Sequence, residues 1–261
     1  MLRRPHTVLA GGTDFYPARV GRAIDEDVLD ITAIAVLRGI EAGAHGWRLG
    51  ATTTWSELLA ADLPPLFDGL KQAAREVGGR QIQNAGTLAG NLCNASPAAD
   101  GVPPLLALDA EVELAGPGGA RRLPLASFIT GNRLTALAPG ELMVAIHVAR
   151  PAHQARSAFL KLGARRYLVI SIAMAAATLE IDGGRIAAAR IAVGACSAVA
   201  QRLPRLEAAL LGAPLDRRLG NLIDEAPLAP LAPIDDVRGS ATYRRDAVVT
   251  LLRRLLSGLA P

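Results

Sequence analysis

The sequence is poor in the residues that local catalytic and metal-binding motifs need. Its 261 residues include two cysteines, four histidines and two lysines, and aromatic side chains make up 3% of the chain. Cys93 and Cys196 form no CxxC pattern and no iron–sulfur spacing, so we predict that the chain holds no cluster of its own. The histidines are dispersed, which leaves a zinc site or a Ser-His-Asp triad without local support.

Charge and long apolar runs are equally sparse. The 28 basic and 24 acidic residues give a net charge of +4 with no basic run. Nucleic-acid binding is disfavoured because it needs a concentrated basic face with aromatic platforms for the bases. Residues 167–179, an uncharged and mainly apolar run, fall short of the roughly 20 residues that span a bilayer, and the N-terminus lacks the apolar core of a signal peptide.

Cysteine usage bears on the compartment. Two isolated cysteines in a chain of this size are more typical of free thiols in a reducing cytoplasm than of a disulfide, which is the alternative. We therefore predict a cytoplasmic protein without a membrane span.

Common nucleotide and hydrolase motifs are also missing. No GxGxxG follows a predicted strand, and there is neither a GxxxxGK[ST] nor a GxSxG pattern. We predict no catalytic residue and no metal ligand in this chain. A protein without a nucleophile or general base but with loops suited to phosphate is expected to hold a cofactor.

Two glycine-containing segments carry the polar chemistry that is present. The first, Ala10-Gly-Gly-Thr-Asp14, follows a short apolar run, and its consecutive N–H groups can form a concave anion site, although a simple turn is the alternative. The second, residues 87–104, places Gly90, Asn91 and Asp100 between two apolar runs, and we predict a loop that wraps a ligand. We expect the two segments to share one anionic ligand.

The apolar periodicities and turn signals divide the chain into two parts. They predict strands at residues 7–10, 28–31, 37–41, 47–51, 111–115 and 141–149, with helices opened by the Thr54-Trp-Ser-Glu57 capping box and at residues 65–77 and 102–108. Beyond Pro151 they predict strands at residues 158–162, 171–181 and 185–195, and helices at residues 201–211, 215–224 and 242–255. We place the boundary between residues 1–152 and 153–261.

Three motifs together resemble the FAD-binding subunit of the molybdenum hydroxylases, the xanthine dehydrogenase and carbon monoxide dehydrogenase family. They are Ala10-Gly-Gly-Thr-Asp14, Thr87-Leu-Ala-Gly-Asn91 and Asn94-Ala-Ser-Pro-Ala-Ala-Asp100. The similarity continues through Lys161 to Ser171 and Arg238 to Arg245, so it covers nearly the whole chain. It implies an α+β fold: a two-subdomain FAD-binding domain of the vanillyl-alcohol-oxidase (PCMH) type, then a smaller C-terminal domain with a three-stranded sheet and helices.

The resemblance also implies a set of non-covalent FAD contacts. Those near the pyrophosphate would be Leu9, Ala10, Gly11, Gly12, Thr13, Asp14, Phe15, Thr87, Gly90 and Asn91. Asn94 and Asp100 would hold ribose or ribityl hydroxyls, and Met143 would pack near the cofactor. Lys161 would place a cation or donor by the flavin, and Ile170 would lie against its ring. The alternatives are a surface lysine and an ordinary core isoleucine.

The family role that the resemblance implies is electron transfer in a heteromeric complex. Electrons would come from iron–sulfur clusters on a small partner subunit, which drains a molybdenum-pterin centre on a large one, and would leave to NAD or another acceptor. The alternatives are a stand-alone flavin oxidase and a scaffold subunit that has lost FAD.

Two features depart from the family pattern. Only eight residues precede Leu9, where family members carry an opening strand and helix. Ala89 stands where a second glycine is common, and its methyl group would crowd the pyrophosphate if the backbone needed positive φ.

Overall fold

The computed structural model describes residues 6–223 and 228–261. In the first part of the chain the elements are β1 (His6–Leu9), β2 (Asp27–Asp30), β3 (Ile40–Gly43), β4 (Gly46–Gly50), α1 (Trp55–Ala60), α2 (Asp68–Glu76), α3 (Arg80–Ala85), α4 (Leu88–Asn94), α5 (Val102–Ala107), β5 (Glu111–Gly116), β6 (Gly119–Pro124), α6 (Leu125–Phe128), β7 (Ile129–Gly131), β8 (Leu134–Thr135) and β9 (Leu142–Ala149). The second part contains β10 (Gln154–Leu162), β11 (Ala173–Asp182), β12 (Arg185–Gly194), β13 (Gln201–Arg202), α7 (Pro204–Leu210), a 3-10 helix at Arg217–Leu222 and α8 (Ala241–Leu259).

The first part is built on two sheets. β1 and β2 pair in parallel, and β3, β4, β9, β5 and β6 form an antiparallel five-stranded sheet in that order. One face of the larger sheet packs on the helices through a core that includes Trp55, Phe67 and Phe128, all at most 1% exposed. The other face carries polar side chains such as His147 and Glu113, whose Nε2 and Oε2 atoms are 2.5 Å apart. This alternation of apolar and polar residues is what allowed β4, β5 and β9 to be predicted.

The second part is a four-stranded antiparallel sheet in the order β10, β11, β12, β13. Alternate residues of β11 point to opposite faces, and both faces are buried. Ala175 and Ala177 belong to the core that includes residues of α7 and α8, whereas Met174 and Ala176 pack with Phe159 and with residues of α2 and α5. The sheet is therefore covered on one side by its own helices and on the other by helices of the first part.

Several sequence predictions need correction. Residues 87–104 are not a continuous wrapping loop, because α4 occupies residues 88–94, whereas the helix predicted at residues 102–108 is present as α5. Leu88 and Leu92 are buried four positions apart, a helical spacing that Gly90 and Asn91 between them obscured. The helix predicted from residue 201 begins at Pro204, after the short strand β13. The helix predicted at residues 215–224 is the 3-10 helix Arg217–Leu222, and residue 224 lies outside the described residues.

The capping box was predicted correctly. The Thr54 hydroxyl accepts from the N–H of Glu57, and the Glu57 carboxylate accepts from the N–H of Thr54, at the start of α1. Both cysteines are free thiols. Among the described residues, no helix is long and apolar enough to cross a membrane.

Candidate cofactor cleft

A cleft of about 620 Å³ lies between the loop after β1, the start of α4 and the segment that enters β9. This volume is in the range typical of small-molecule and cofactor sites, roughly 300–1,000 Å³. Most of the predicted cofactor contacts line it, namely Leu9, Ala10, Gly11, Gly12, Thr13, Asp14, Phe15, Thr87, Gly90, Asn91, Asn94 and Met143. Two larger clefts, of about 840 and 690 Å³, contain neither glycine segment, so chemistry rather than size singles out this one.

Gly11 lets the first glycine segment lie against the chain that leads into α4. A Cβ atom added at Gly11 would be 2.0 Å from the carbonyl oxygen of Ala85 and 2.8 Å from the Cα of Gly86. Neither backbone atom can move aside as a flexible side chain could. The two segments, far apart in sequence, are thus in direct contact because residue 11 has no side chain.

The first glycine segment presents backbone donors that the protein does not use. Within the described residues, no protein acceptor is found for the N–H groups of Gly11, Gly12 and Thr13. Gly12 has φ +69°, a conformation that favours glycine, and its carbonyl accepts from the N–H of Tyr16 at 3.1 Å. Free consecutive N–H groups beside a cleft suit an anionic oxygen.

The start of α4 offers less backbone chemistry than the sequence indicated. Its first four N–H groups are all bonded within the chain, to acceptors at Ala51, Thr53 and Thr87. The side chain of Asn91 accepts from the N–H of Gly101 at 3.2 Å through Oδ1. The donors left for a ligand at this end are the Thr87 hydroxyl and the Asn91 side-chain nitrogen.

Ala89 does not require the glycine common in the family. It lies in the first turn of α4 and is absent from the residues with positive φ. Ala89 is 6% exposed and belongs to the core, so its methyl group does not require a backbone conformation with positive φ.

Asp100, Lys161 and Ile170 do not line the cleft. Lys161 Nζ is 2.6 Å from Asp100 Oδ2, and Ser171 donates to Asp100 Oδ1 at 2.6 Å. Burial raises the pKa of Asp100, and Lys161 and Ser171 offset part of that rise. Lys161 is thus a buried ion-pair partner rather than a surface lysine, whereas Ile170 is 53% exposed rather than part of the core.

Other residues of the cleft carry no sequence signal. Glu141 lines it and is held by Arg121 in a bidentate pair at 2.7 Å and by the N–H of Ala138 at 2.8 Å, which lower the pKa of Glu141 to about 2. Arg133 lines it from the turn between β7 and β8. Both were missed because they are brought to the cleft by strand pairing and not by a motif.

Cys93 lines the cleft as a neutral thiol. Burial raises its pKa to about 12, so it is protonated at neutral pH and lacks the thiolate that a covalent link to a cofactor would need. Among the described residues, no three His, Cys, Asp or Glu side chains form a group that could hold a metal ion.

Glycine packing, neutral N–H donors and a cleft of this size suit the diphosphate of a dinucleotide, and together with the appended sheet and helices they define the class of cofactor-binding proteins. Residues 3–151 match the family model described as the FAD binding domain in molybdopterin dehydrogenase, and residues 158–259 match the CO dehydrogenase flavoprotein C-terminal domain. The chain therefore belongs to the FAD-binding subunit family of the molybdopterin dehydrogenases.

Individual relatives agree with this assignment. The putative xanthine dehydrogenase FAD-binding subunit of Escherichia coli K12 is 32% identical over 96% of this chain and 87% of its own length. The carbon monoxide dehydrogenase medium chain of Afipia carboxidovorans is 31% identical over 94% of this chain and 86% of its own. The solved structure of reconstituted CO dehydrogenase from Oligotropha carboxidovorans matches with a TM-score of 0.88 at 30% identity, over 98% of this chain and 91% of that one. The predicted α+β fold and family are confirmed.

Proposed function

We propose that this chain is the FAD-binding, electron-transferring subunit of a heteromeric molybdenum-containing dehydrogenase. The observation that carries the proposal is the contact between the Gly11 segment and the start of α4, which places the free N–H groups beside the cleft. Bound FAD would supply the capacity to take up electrons singly and release them in pairs. The chain's own residues would bind and orient it.

The predicted contact residues differ in which of their hydrogen-bond donors remain available to a ligand. The N–H groups of Gly11, Gly12 and Thr13, with the Thr87 hydroxyl and the Asn91 amide, would bind the diphosphate. Neutral donors suit this group because they stabilise its charge without burying a counter-charge. Phe15 and Met143 would add apolar contacts.

Asp100, Lys161 and Ile170 take a different place in the proposal. The paired Asp100 and Lys161 would fix the neighbouring segment that begins at Ser171, through its bond to Asp100. Ile170 precedes that fixed point with its side chain half exposed, where it is free to contact a flavin ring.

The partner subunits follow from the names of the relatives. Several relatives are named as medium chains or FAD subunits, which describes them as parts of larger enzymes. We propose a small iron–sulfur subunit and a large molybdopterin subunit as partners, with NAD or another molecule as acceptor. The predicted domain junction at residue 152 and the cytoplasmic location belong to the same proposal.

The test is to purify the chain with its native partners and to measure the visible spectrum, the flavin released by acid, and the metals present. We expect flavin that is released by acid, together with iron and molybdenum. Flavin without metal-bearing partners would indicate a stand-alone oxidase. The absence of flavin from material that contains both partners would indicate a scaffold subunit and contradict the proposal.

A further inference from the structure

Arg133 occupies an unusual position at the cofactor cleft. It lies in the tight turn between β7 and β8, has φ +60°, and donates from its backbone N–H to the carbonyl of Ala95 at 2.9 Å. Ala95 is the residue that ends α4, and it too is left-handed, with φ +46°. Two strained residues therefore face each other at this edge of the cleft.

The Arg133 side chain fixes the orientation of Asn94. Its Nη1 donates to the Asn94 carbonyl oxygen at 3.3 Å and also to the side-chain oxygen Oδ1. With Oδ1 held by a donor, the amide nitrogen Nδ2 must face the other way, and it donates to Asp14 Oδ2 at 2.8 Å. Three distant segments are thus linked in the order Arg133, Asn94, Asp14. The same guanidinium satisfies a carbonyl at the C-terminal end of α4.

The Arg133 guanidinium has no carboxylate partner among the described residues. Its side-chain hydrogen bonds go to oxygens of Asn94, and it forms no ion pair in the part of the chain that the structure describes. The other cation at the cleft, Arg19, is paired with Glu26. Of the two cleft carboxylates, Glu141 is paired with Arg121, and Asp14 accepts from the Asn94 amide rather than from Arg133. Arg133 is thus the cleft cation of the described residues whose charge remains for an anionic ligand.

We propose that Arg133 is a cofactor-site residue with two roles: it orients the Asn94 amide, and its guanidinium attracts the phosphates of the bound dinucleotide. This inference rests on the proposed FAD function and deepens it. It adds a cationic contact, which salt would weaken by screening, to a site whose motif residues are neutral donors.

The experiment compares wild type with Arg133→Gln, Arg133→Lys and Asn94→Ala. FAD is first removed from each purified complex, and the affinity of the flavin-depleted protein for added FAD is then measured. Quenching of flavin fluorescence is recorded over a series of salt concentrations. Arg218→Gln is the matched control, because Arg218 is an exposed arginine outside the cleft whose ion-pair partner among the described residues is Asp216. Unfolding of each unliganded variant by urea is measured alongside.

We expect Arg133→Gln to weaken FAD binding on the order of tenfold at low salt and to flatten the rise of Kd with salt. Arg133→Lys keeps the charge but lacks the planar fork, so it should retain the salt dependence and recover part of the affinity. Combining Arg133→Gln with Asn94→Ala should cost less than the sum of the single effects, because both break the same link. The control should match wild type.

Two outcomes overturn the inference in different ways. If Arg133→Gln leaves FAD affinity and its salt dependence unchanged, whether or not the urea midpoint falls, Arg133 serves only to cap the C-terminal end of α4. A wild-type chain that binds no FAD would overturn the proposed function and this inference with it.

Discussion

At the scale of single residues, the two adjacent glycines of the first segment are constrained by different physical effects. Gly12 needs its left-handed φ, but the atoms that an added Cβ would meet first belong to the exposed ring of Tyr16, which can move. A Cβ atom at Gly11 would instead meet backbone atoms of Ala85 and Gly86, which cannot move aside as a side chain can. The contact between the first glycine segment and the chain that leads into α4 therefore depends more on Gly11.

We predict that Gly11→Ala separates these segments. Overpacking of this kind costs about 1–3 kcal/mol, and displacement of the N–H groups should weaken FAD binding by about tenfold for each 1.4 kcal/mol of binding free energy that is lost. Urea unfolding and a flavin titration measure the two effects. Gly118→Ala is the control, since nothing lies within 4 Å of its added Cβ. Wild-type affinity in Gly11→Ala would show that the contact is dispensable.

At the scale of elements, the segment between β8 and β9 forms one wall of the cleft, and the Glu141 carboxylate is one of the groups that hold it. Glu141 accepts from Arg121 and from the N–H of Ala138, while the same guanidinium donates to the carbonyl of Ala136 at 2.8 Å. The charged form of Glu141 is favoured by all of its donors, and its pKa falls from 4.5 to about 2. This wall is expected to loosen when Glu141 is protonated.

The sign of the resulting pH dependence follows from the lowered pKa. A carboxyl group whose pKa is lower in the folded chain stabilises it above the ordinary pKa of 4.5, and this stabilisation is lost as pH falls toward about 2. We predict that Glu141→Gln lowers the urea midpoint at neutral pH and that the gap to wild type narrows as pH falls below 4.5. Asp62→Asn is the control, because Asp62 is exposed and forms no ion pair with the other described residues. A gap that stays constant with pH would contradict the prediction.

At the scale of the whole molecule, the second sheet belongs to both parts of the chain. The edge strand β10 of this sheet is hydrogen-bonded to α2 and to the residues just before it. The Ser157 hydroxyl accepts from the N–H of Gly69 at 2.8 Å and donates to the carbonyl of Leu66 at 2.7 Å. Phe159 and Met174 pack into the small core between the sheet and the first part. We therefore expect the two parts to unfold as one cooperative unit.

Tryptophan fluorescence can test this coupling, because the only tryptophans, Trp47 and Trp55, are buried in the first part. We predict that Phe159→Ala, in the second part, lowers the tryptophan-detected stability by about 3–5 kcal/mol. Val237→Ala, at a side chain that is 99% exposed, should have no effect. A tryptophan transition that Phe159→Ala leaves in place would show that the parts unfold independently.

The sequence was informative where structure is local. Alternating strands, the Thr54 capping box and the glycine segment were predictable because each depends on neighbouring residues. The α4 helix was missed because it is only two turns long and contains Gly90 and Asn91. The pairing of Asp100 with Lys161 and the arrival of Arg133 at the cleft depend on tertiary packing, which a single sequence does not encode in any local pattern.

The buried pair of Lys161 and Asp100 has a practical consequence for work on an assembled complex. The chain has only two lysines, and the ammonium group of the other, Lys71, donates a hydrogen bond to the carbonyl of Ala61. Lys161 is 5% exposed, so amine-reactive cross-linkers and ester dyes will scarcely modify its folded form. Neighbouring subunits are better located with reagents directed at carboxylates or arginines, and labelling of Lys161 itself would report that this region has opened.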